Sequence, residues 1–296
     1  MTKKKQQKQK QKEKQKEQDD DALLEQHIQE VKEAQVQQVQ AQQTQKQFVC
    51  LSGLPRTGST LLSAILSQNP AIHAEGNSAV CQIMWDTLQS CRNNAKEQLA
   101  ANRREGTVHD ILSQIPAIYY KNVKAPIIVD KCRSWTVPPN LEMLKTYIDA
   151  NYKIIILERS ILEIVTSFVK LYKDNKKQIP IEQLLQPQSE PIMRSVAGIQ
   201  WAKTHNQDNH FLFVAYKDLV QNTEATIKKI YDFCGWAPFA HDFTHVTVKH
   251  PEDDRVYQLE GQHEIRSTIK KRTIKLELPP EIVRECEKID RMMGYT

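Results

Sequence analysis

The chain has 296 residues, of which 40% are hydrophobic, enough for the core of one large or two small domains. Of its 41 basic and 36 acidic residues, eight lysines and two glutamates lie within residues 1–18. The remaining 33 basic and 34 acidic residues give a net charge of −1. The formal charge of +5 for the whole chain therefore does not predict a nucleic-acid-binding surface.

Hydropathy and cysteine usage limit the class of protein. No apolar run approaches the length of a membrane span, and the N-terminus lacks the apolar stretch of a signal peptide. The six cysteines are scattered without a CxxC pair; Cys50 lies in an apolar strand pattern, and Cys81 and Cys234 lie in apolar helical patterns. We therefore expect a cytoplasmic protein with reduced, mostly buried thiols and no zinc site.

Residues 1–46 are rich in Lys, Gln and Glu and low in complexity. This composition predicts a disordered or partly helical tail, because too few apolar side chains are present to form a core. A tether to a polyanion or a targeting arm is the functional alternative to a plain solvated tail. The folded domain is expected to span residues 47–296.

Short apolar runs alternate with helical patterns over the folded domain. Four runs are typical of buried strands, and they end at Gly53, Lys131, Arg159 and Tyr216. The main helical patterns cover residues 59–69, 78–91, 108–120, 138–148, 161–173, 192–204 and 280–292. We interpret residues 72–76 as a connection. The alternation predicts an α/β fold, a mainly parallel sheet like that of P-loop NTPases flanked by helices, with ligands beyond the carboxyl ends of the strands.

The stretch from Phe48 to Leu62 is the most informative part of the sequence. Its apolar start indicates a strand, Gly53 and Pro55 break that strand, and the residues from Ser59 onward begin a helical pattern. A strand, a tight turn and a helix N-terminus together form an anion site, because unpaired backbone N–H groups and the positive end of the helix dipole point into the turn.

The spacing Gly53-x4-Gly58 is that of a phosphate-binding P-loop with one departure. Ser59 stands where a nucleotide triphosphatase carries Lys, and the cation is Arg56, inside the loop. The missing Lys removes a charge usually aimed at the β- and γ-phosphates, so the loop predicts one compact anionic group rather than ATP. A chance Gly/Ser turn before a helix is the alternative interpretation.

The run Pro55–Leu62 resembles the 5′-phosphosulfate-binding loop of the sulfotransferases, particularly the branch that includes tyrosylprotein sulfotransferases and their bacterial relatives. The resemblance extends over residues 47–290. It implies 3′-phosphoadenosine 5′-phosphosulfate (PAPS) as donor, PAP as product, and no metal. It also implies donor contacts from the loop residues, namely Arg56, Thr57, Gly58, Ser59 and Thr60.

Arg159 follows a buried strand and Ser167 lies eight positions further on. This pair matches the sulfotransferase 3′-phosphate site in residue type and spacing. A phosphate with close to two negative charges suits the guanidinium fork, and a hydroxyl two helical turns along adds another hydrogen bond. By itself an Arg at a strand end is usually a solvated surface residue, so the pair is informative because it follows the P-loop-like turn.

Three further matches are looser. Lys131 resembles the strand-end lysine that helps to stabilise the transferring or leaving group, and an ordinary strand-end lysine is the alternative. Tyr216 resembles a donor-contacting tyrosine, and a half-buried packing residue is the alternative. Arg266 lies in a basic, loop-like region where family members bring residues over the donor, with Ser267 and Lys270 as weaker candidates.

The resemblance implies in-line sulfuryl transfer to a hydroxyl or amine, with Arg56, Lys131 and the loop amides stabilising developing charge. Glu75 is the expected catalytic base, and His73 is the alternative. The relatives carry a longer Gly-Glu-Glu element where this chain has Ala74-Glu75-Gly76, so the alignment can slip by a residue. A loop carboxylate without a catalytic part is the remaining interpretation of Glu75.

Two other functions stay open at this point. A P-loop kinase acting on a small molecule would need a loop lysine and an Mg²⁺-binding aspartate, and the missing lysine counts against it. A non-catalytic module that binds PAP or another nucleotide is the second. The sequence leaves the acceptor open among small molecules, carbohydrates, lipids and peptides, and it does not predict the oligomeric state.

Overall fold

A computed structural model describes residues 46–179, 181–187, 190, 192–270, 274 and 276–295. The predicted tail lies outside the described residues except for Lys46, so its character stays a prediction. Five strands form one sheet in the order β2-β3-β1-β4-β5. They are β1 (Gln47–Gly53), β2 (Ile72–Asn77), β3 (Ile127–Lys131), β4 (Lys153–Glu158) and β5 (Phe211–Ala215).

Every neighbouring pair of strands is parallel. The central strand β1 lies between β3 and β4, with Leu51 opposite Lys131 and Gly53 opposite Leu157. Because the strands are parallel, their carboxyl ends share one edge of the sheet, which is where such folds bind ligands. The predicted mainly parallel α/β fold is confirmed.

Helices connect the strands and cover the sheet. They are α1 (Ser59–Leu66), α2 (Val80–Gln89), α3 (Lys96–Ala101), α4 (Thr107–Tyr119), α5 (Pro138–Tyr147), α6 (Ile161–Asp174), α7 (Ile181–Leu184), α8 (Met193–Thr204), α9 (Tyr216–Gln221), α10 (Thr223–Cys234), α11 (Asp254–Tyr257) and α12 (Pro280–Met293). A π-helical turn (Ser90–Asn94) extends α2, and a 3₁₀ turn (Arg133–Thr136) follows β3. Among the described helices, none has both the length and the apolar composition needed to cross a membrane.

The interpretation of residues 72–76 as a connection is wrong, because they belong to the edge strand β2. Only Ile72 and Ala74 are buried in this strand, and His73 and Glu75 point to its other face. A small alanine, two polar residues and a glycine make a weak strand pattern. The strand forms because its backbone pairs with β3, and that pairing is a tertiary contact.

The core lies on both faces of the sheet. In β4, Ile154 and Ile156 face one apolar cluster with Trp135, whereas Ile155 and Leu157 face the other cluster. Continuous apolar strands are typical of a parallel sheet that helices cover on both sides. At the carboxyl edge of this sheet, Lys131 ends β3 and Glu158 ends β4, so charged side chains lie there.

The C-terminal helix α12 caps the start of α6, which begins two residues after Arg159. Asp290 of α12 is buried and accepts hydrogen bonds from Ser160 Oγ (2.6 Å) and from the Ile161 backbone N–H (2.5 Å). A carboxylate at a helix N-terminus pairs N–H groups that lack partners within the helix and interacts favourably with the helix dipole. The contact therefore fixes the helix that carries Ser167.

We expect Asp290→Ala to lower the free energy of unfolding by about 1–3 kcal/mol, because it leaves the buried Ile161 N–H and the half-buried Ser160 hydroxyl without this acceptor. Chemical denaturation measures the change. The control is Glu287→Ala on the exposed face of the same helix, which should change stability by less than about 0.5 kcal/mol. Equal losses in the two variants would contradict the assigned capping contact.

Candidate active site

A cavity opens at the carboxyl edge of the sheet. Its walls come from the loop after β1, the ends of β3 and β4, the helices α6 and α9, and residues 262–270. Ten of the sequence-predicted site residues line it: Arg56, Thr57, Gly58, Ser59, Thr60, Lys131, Arg159, Ser167, Tyr216 and Arg266. Glu75 instead lines a smaller neighbouring cavity, which it shares with Lys131 and Thr60.

The loop between β1 and α1 is tightly constrained. Gly53 has φ 136°, and a Cβ atom at this position would lie 2.3 Å from the carbonyl oxygen of Leu157. Arg56 and Gly58 also have positive φ values, 59° and 85°. The Thr57 hydroxyl is buried and donates to the Leu54 carbonyl at 2.6 Å, so its side chain holds the loop in shape.

Helix α1 supplies the anion-binding geometry that the sequence predicts. Its first backbone hydrogen bond runs from the Leu62 N–H to the Gly58 carbonyl at 2.9 Å. The N–H groups of Ser59, Thr60 and Leu61 belong to the first turn, where a helix provides no acceptor for them. These N–H groups and the helix dipole favour an anion at the mouth of the loop.

Arg159 is clamped beside this loop. Its Nη1 donates to the Arg56 carbonyl at 2.7 Å, its Nε donates to Glu163 at 2.8 Å, and its guanidinium lies 4.3 Å from the centre of the Tyr216 ring. The same ring lies close to Gly58, where a Cβ atom would lie 3.1 Å from the Tyr216 side chain. Tyr216 thus contacts both the loop and Arg159, and the cation–π contact orients the guanidinium.

Arg56 lies next to the predicted 3′-phosphate residues. Its Nε donates to the buried Ser167 hydroxyl at 3.1 Å, and its Nη1 donates to the Gln262 carbonyl. Arg56, Arg159 and Ser167 therefore form one cationic group, which the sequence did not predict. The pairing joins the loop to α6 and to the segment around residue 262.

Lys131 ends β3 with a buried ammonium. Its Nζ lies 3.1 Å from Oε1 of Glu252, and His263 Nε2 lies 3.4 Å from the same oxygen. His263 Nδ1 pairs with Asp254 at 2.6 Å. Burial lowers the pKa of Lys131, whereas the adjacent Glu252 raises it. Glu252 and Asp254 are not predicted from the sequence, since no local pattern joins them to a lysine more than a hundred residues earlier.

Glu75 and His73 contact each other on β2. His73 Nε2 lies 2.9 Å from Glu75 Oε2, and the His73 and His250 ring centres are 4.6 Å apart. Burial and the neighbouring His73 lower the pKa of His250. The two candidate bases of the sequence analysis are therefore one pair.

Asp130, the residue before Lys131, anchors the end of β3. Its carboxylate is fully buried and accepts hydrogen bonds from Ser78 (2.5 Å), Tyr120 (2.8 Å) and Trp135 (2.6 Å). Burial raises the pKa of Asp130, and the three hydrogen bonds oppose that shift. A carboxylate with this many partners has a structural role in holding the strand end beneath the cavity.

Comparison with known proteins assigns the family. The sequence profile described as "Sulfotransferase family" matches residues 48–241, which is well over half of the chain. The match includes the loop after β1, Lys131, Arg159 and Ser167. The chain belongs to the sulfotransferase family. Among the described residues of this sulfotransferase, no group of three or more His, Cys, Asp or Glu side chains is arranged to hold a metal ion.

One solved structure supports the fold, and a second is reported beside it. The sulfotransferase domain from the curacin biosynthetic pathway is 19% identical, with a TM-score of 0.54, and the match covers 85% of this chain and 98% of that one. The sulfotransferase domain of the Synechococcus PCC 7002 olefin synthase is 18% identical, with a TM-score of 0.48 over 83% and 95% of the two chains. No curated protein sequence matches the chain significantly. At these identities the first likeness shows the fold alone.

We expect Gly53→Ala to lower the free energy of unfolding by at least about 2 kcal/mol, since the φ of Gly53 and its contact with Leu157 both exclude a Cβ atom. Thermal or chemical unfolding measures the loss. The control is Gly106→Ala, where an added Cβ would meet nothing within 4 Å and φ is −62°. A control variant that is destabilised as much as Gly53→Ala would contradict the argument.

Proposed function

We propose that this sulfotransferase transfers a sulfuryl group from PAPS to a hydroxyl or amine acceptor, in line and without a metal. The observation that carries the proposal is that the P-loop-like turn and the Arg159–Ser167 pair line one cavity at the carboxyl edge of the sheet. These are two anion sites of different construction, and the donor is a nucleotide with charged groups at two ends.

The residues present suit that donor. The first turn of α1, with Ser59 and Thr60, would hold the 5′-phosphosulfate through backbone N–H groups and hydroxyls. Arg159, Ser167 and Arg56 would hold the 3′-phosphate, because two guanidinium groups and a hydroxyl match a doubly charged phosphate. Arg266 lines the same cavity from the 262–270 segment and would add a further positive charge.

The bound donor supplies an activated sulfuryl group whose bond to the phosphate breaks as the acceptor oxygen or nitrogen attacks. Lys131 and the loop amides would stabilise the charge on the sulfuryl oxygens and on the departing phosphate. The cavity would exclude water and hold the acceptor in line, so that positioning and electrostatics dominate, as in phosphoryl transfer.

For the acceptor's proton we propose the Glu75–His73 pair. Glu75 lines the smaller cavity together with Lys131, and its carboxylate is hydrogen-bonded to His73 at 2.9 Å. A carboxylate that takes a proton next to an imidazole can share it with that ring, so the two side chains can act as one base. The identity of the acceptor stays open, and the cytoplasmic location stays a prediction from the sequence.

The donor assignment predicts a preference for PAP over ADP and ATP in calorimetry. Arg159→Ala should weaken PAP binding by about 10–100-fold, the loss of one charge-assisted contact, with a smaller effect on ADP, which lacks the 3′-phosphate. The control Arg284→Ala removes an exposed arginine of α12 and should leave PAP affinity unchanged.

Two results would contradict this donor assignment. An Mg²⁺-dependent preference for ATP would favour the kinase interpretation. Tight PAP binding without turnover on any acceptor would favour a non-catalytic nucleotide-binding module.

The base assignment predicts that Glu75→Gln lowers kcat by about 10²–10⁴-fold and leaves PAP affinity intact. The assay follows radiolabelled sulfate from PAPS into a panel of phenols, sugars and tyrosine peptides. Glu97→Gln, an exposed change on α3, is the control. If Glu75→Gln and His73→Asn each turn over at the wild-type rate, the assignment is refuted.

A further inference from the structure

The contact between Lys131 and Glu252 joins the carboxyl edge of the sheet to a segment that is distant along the chain. The side chains of Lys131 and Glu252 are only 8% and 12% exposed, and their charged atoms are 3.1 Å apart. A pair this deeply buried differs from a surface salt bridge, which water screens and which contributes little. The carboxylate must therefore be held in place by its surroundings.

Glu252 is held on both of its oxygens. Oε1 lies next to His263 Nε2 (3.4 Å), and Oε2 accepts hydrogen bonds from Asn77 and Tyr257, each at 3.3 Å. His263 is fixed in turn by Asp254, which pairs with its Nδ1 at 2.6 Å and accepts from its backbone N–H at 3.0 Å. The result is a chain of contacts that runs from Asp254 to Lys131.

Gly76 provides the space that this arrangement needs. A Cβ atom at Gly76 would lie 2.1 Å from Cγ of Glu252, so any larger residue there would push the carboxylate aside. The end of β2 and the segment after residue 250 are thus shaped to each other. This fit is independent of the hydrogen bonds and points to the same placement of Glu252.

The charges around Lys131 explain why a carboxylate is needed there. Burial lowers the pKa of Lys131, and Arg133 lowers it further. Glu252 is the main group that raises it, and Asp254 contributes in the same direction. Glu75 and Lys131 both line the smaller cavity. Without Glu252, Lys131 would lose its charge at a lower pH.

We propose that Glu252 is the positioning residue of Lys131. It keeps the ammonium charged and directed along the cavity wall, and Lys131 exchanges this partner for the sulfuryl group of the donor. The inference rests on the proposed part of Lys131 in sulfuryl transfer. His263 and Asp254 support the exchange by holding Glu252 after Lys131 has turned to its new partner.

We expect Glu252→Gln to have opposite effects on PAPS affinity at low and at high pH. At low pH, Lys131 is protonated in the variant and no longer has a competing carboxylate, so PAPS should bind more tightly than in the wild type. Above the lowered pKa of Lys131, PAPS affinity should fall about tenfold per pH unit. The two curves therefore cross, which a merely structural loss would not produce. PAP carries no sulfuryl group and should show a smaller pH effect.

The first experiment measures the pH dependence of Lys131 labelling and does not require turnover. The full-length protein is labelled with acetic anhydride between about pH 6 and pH 11, and mass spectrometry follows the peptide that contains Lys131. In Glu252→Gln the labelling midpoint should move down by about one pH unit or more, because an opposite charge at this distance shifts a pKa by that amount. Calorimetry with PAPS and PAP over the same range is the second experiment.

The matched control is Asp253→Asn. Asp253 is the next residue, carries the same charge, and pairs with the exposed Arg255 at 2.8 Å. The asparagine can still cap α11, so the labelling midpoint and the donor affinity should match the wild type.

Two results would overturn the inference and separate it from the proposed function. If the wild type binds PAP and the Lys131 midpoint does not move in Glu252→Gln, Glu252 does not position Lys131, and the donor assignment survives. If kcat collapses at every pH in Glu252→Gln while the Lys131 midpoint stays in place, Glu252 acts on the acceptor's proton instead. A wild type that binds neither PAP nor PAPS overturns the proposed function together with the exchange of partners.

Discussion

The parallel pairing of β1 with both β3 and β4 is the constraint on which the rest of the site depends. It sets Leu51 opposite Lys131 and Gly53 opposite Leu157, so three strand ends meet at one edge. The close approach at Gly53 brings the loop against β4, and Arg159 follows β4 directly. Arg56, Lys131 and Arg159 are 28 to 103 residues apart along the chain, yet they line one cavity.

The cationic side chains at this edge are held by contacts with other protein groups. Arg159 is held by the Arg56 carbonyl, by Glu163 and by the ring of Tyr216, whereas Arg56 reaches across to Ser167. Lys131 is buried and has Glu252 as its counter-ion. Preorganised charges cost little reorganisation when an anion binds or when charge develops, and this is how such a site would favour sulfuryl transfer.

The segment from residue 250 to residue 270 completes the site although it contributes no strand. Its single short helix, α11, carries Asp254, and its loops bring Gln262, His263 and Arg266 to the cavity. The segment is anchored at both sides of the site, by Lys131 at the end of β3 and by Arg56 in the loop. One stretch of backbone thereby links the loop after β1 to the end of β3.

The sequence by itself determined the loop, the four apolar strands and the seven main helical patterns, because these depend on local spacing: apolar periods, glycine turns and helix starts. It also placed Lys131, Arg159 and Tyr216 at strand ends, and parallel strands bring such ends together. Only the tertiary structure decided that residues 72–77 form an edge strand, that Arg56 joins Ser167, and that Glu252 pairs with Lys131. Each of these depends on contacts between residues far apart in the chain, and no local pattern of side chains encodes them.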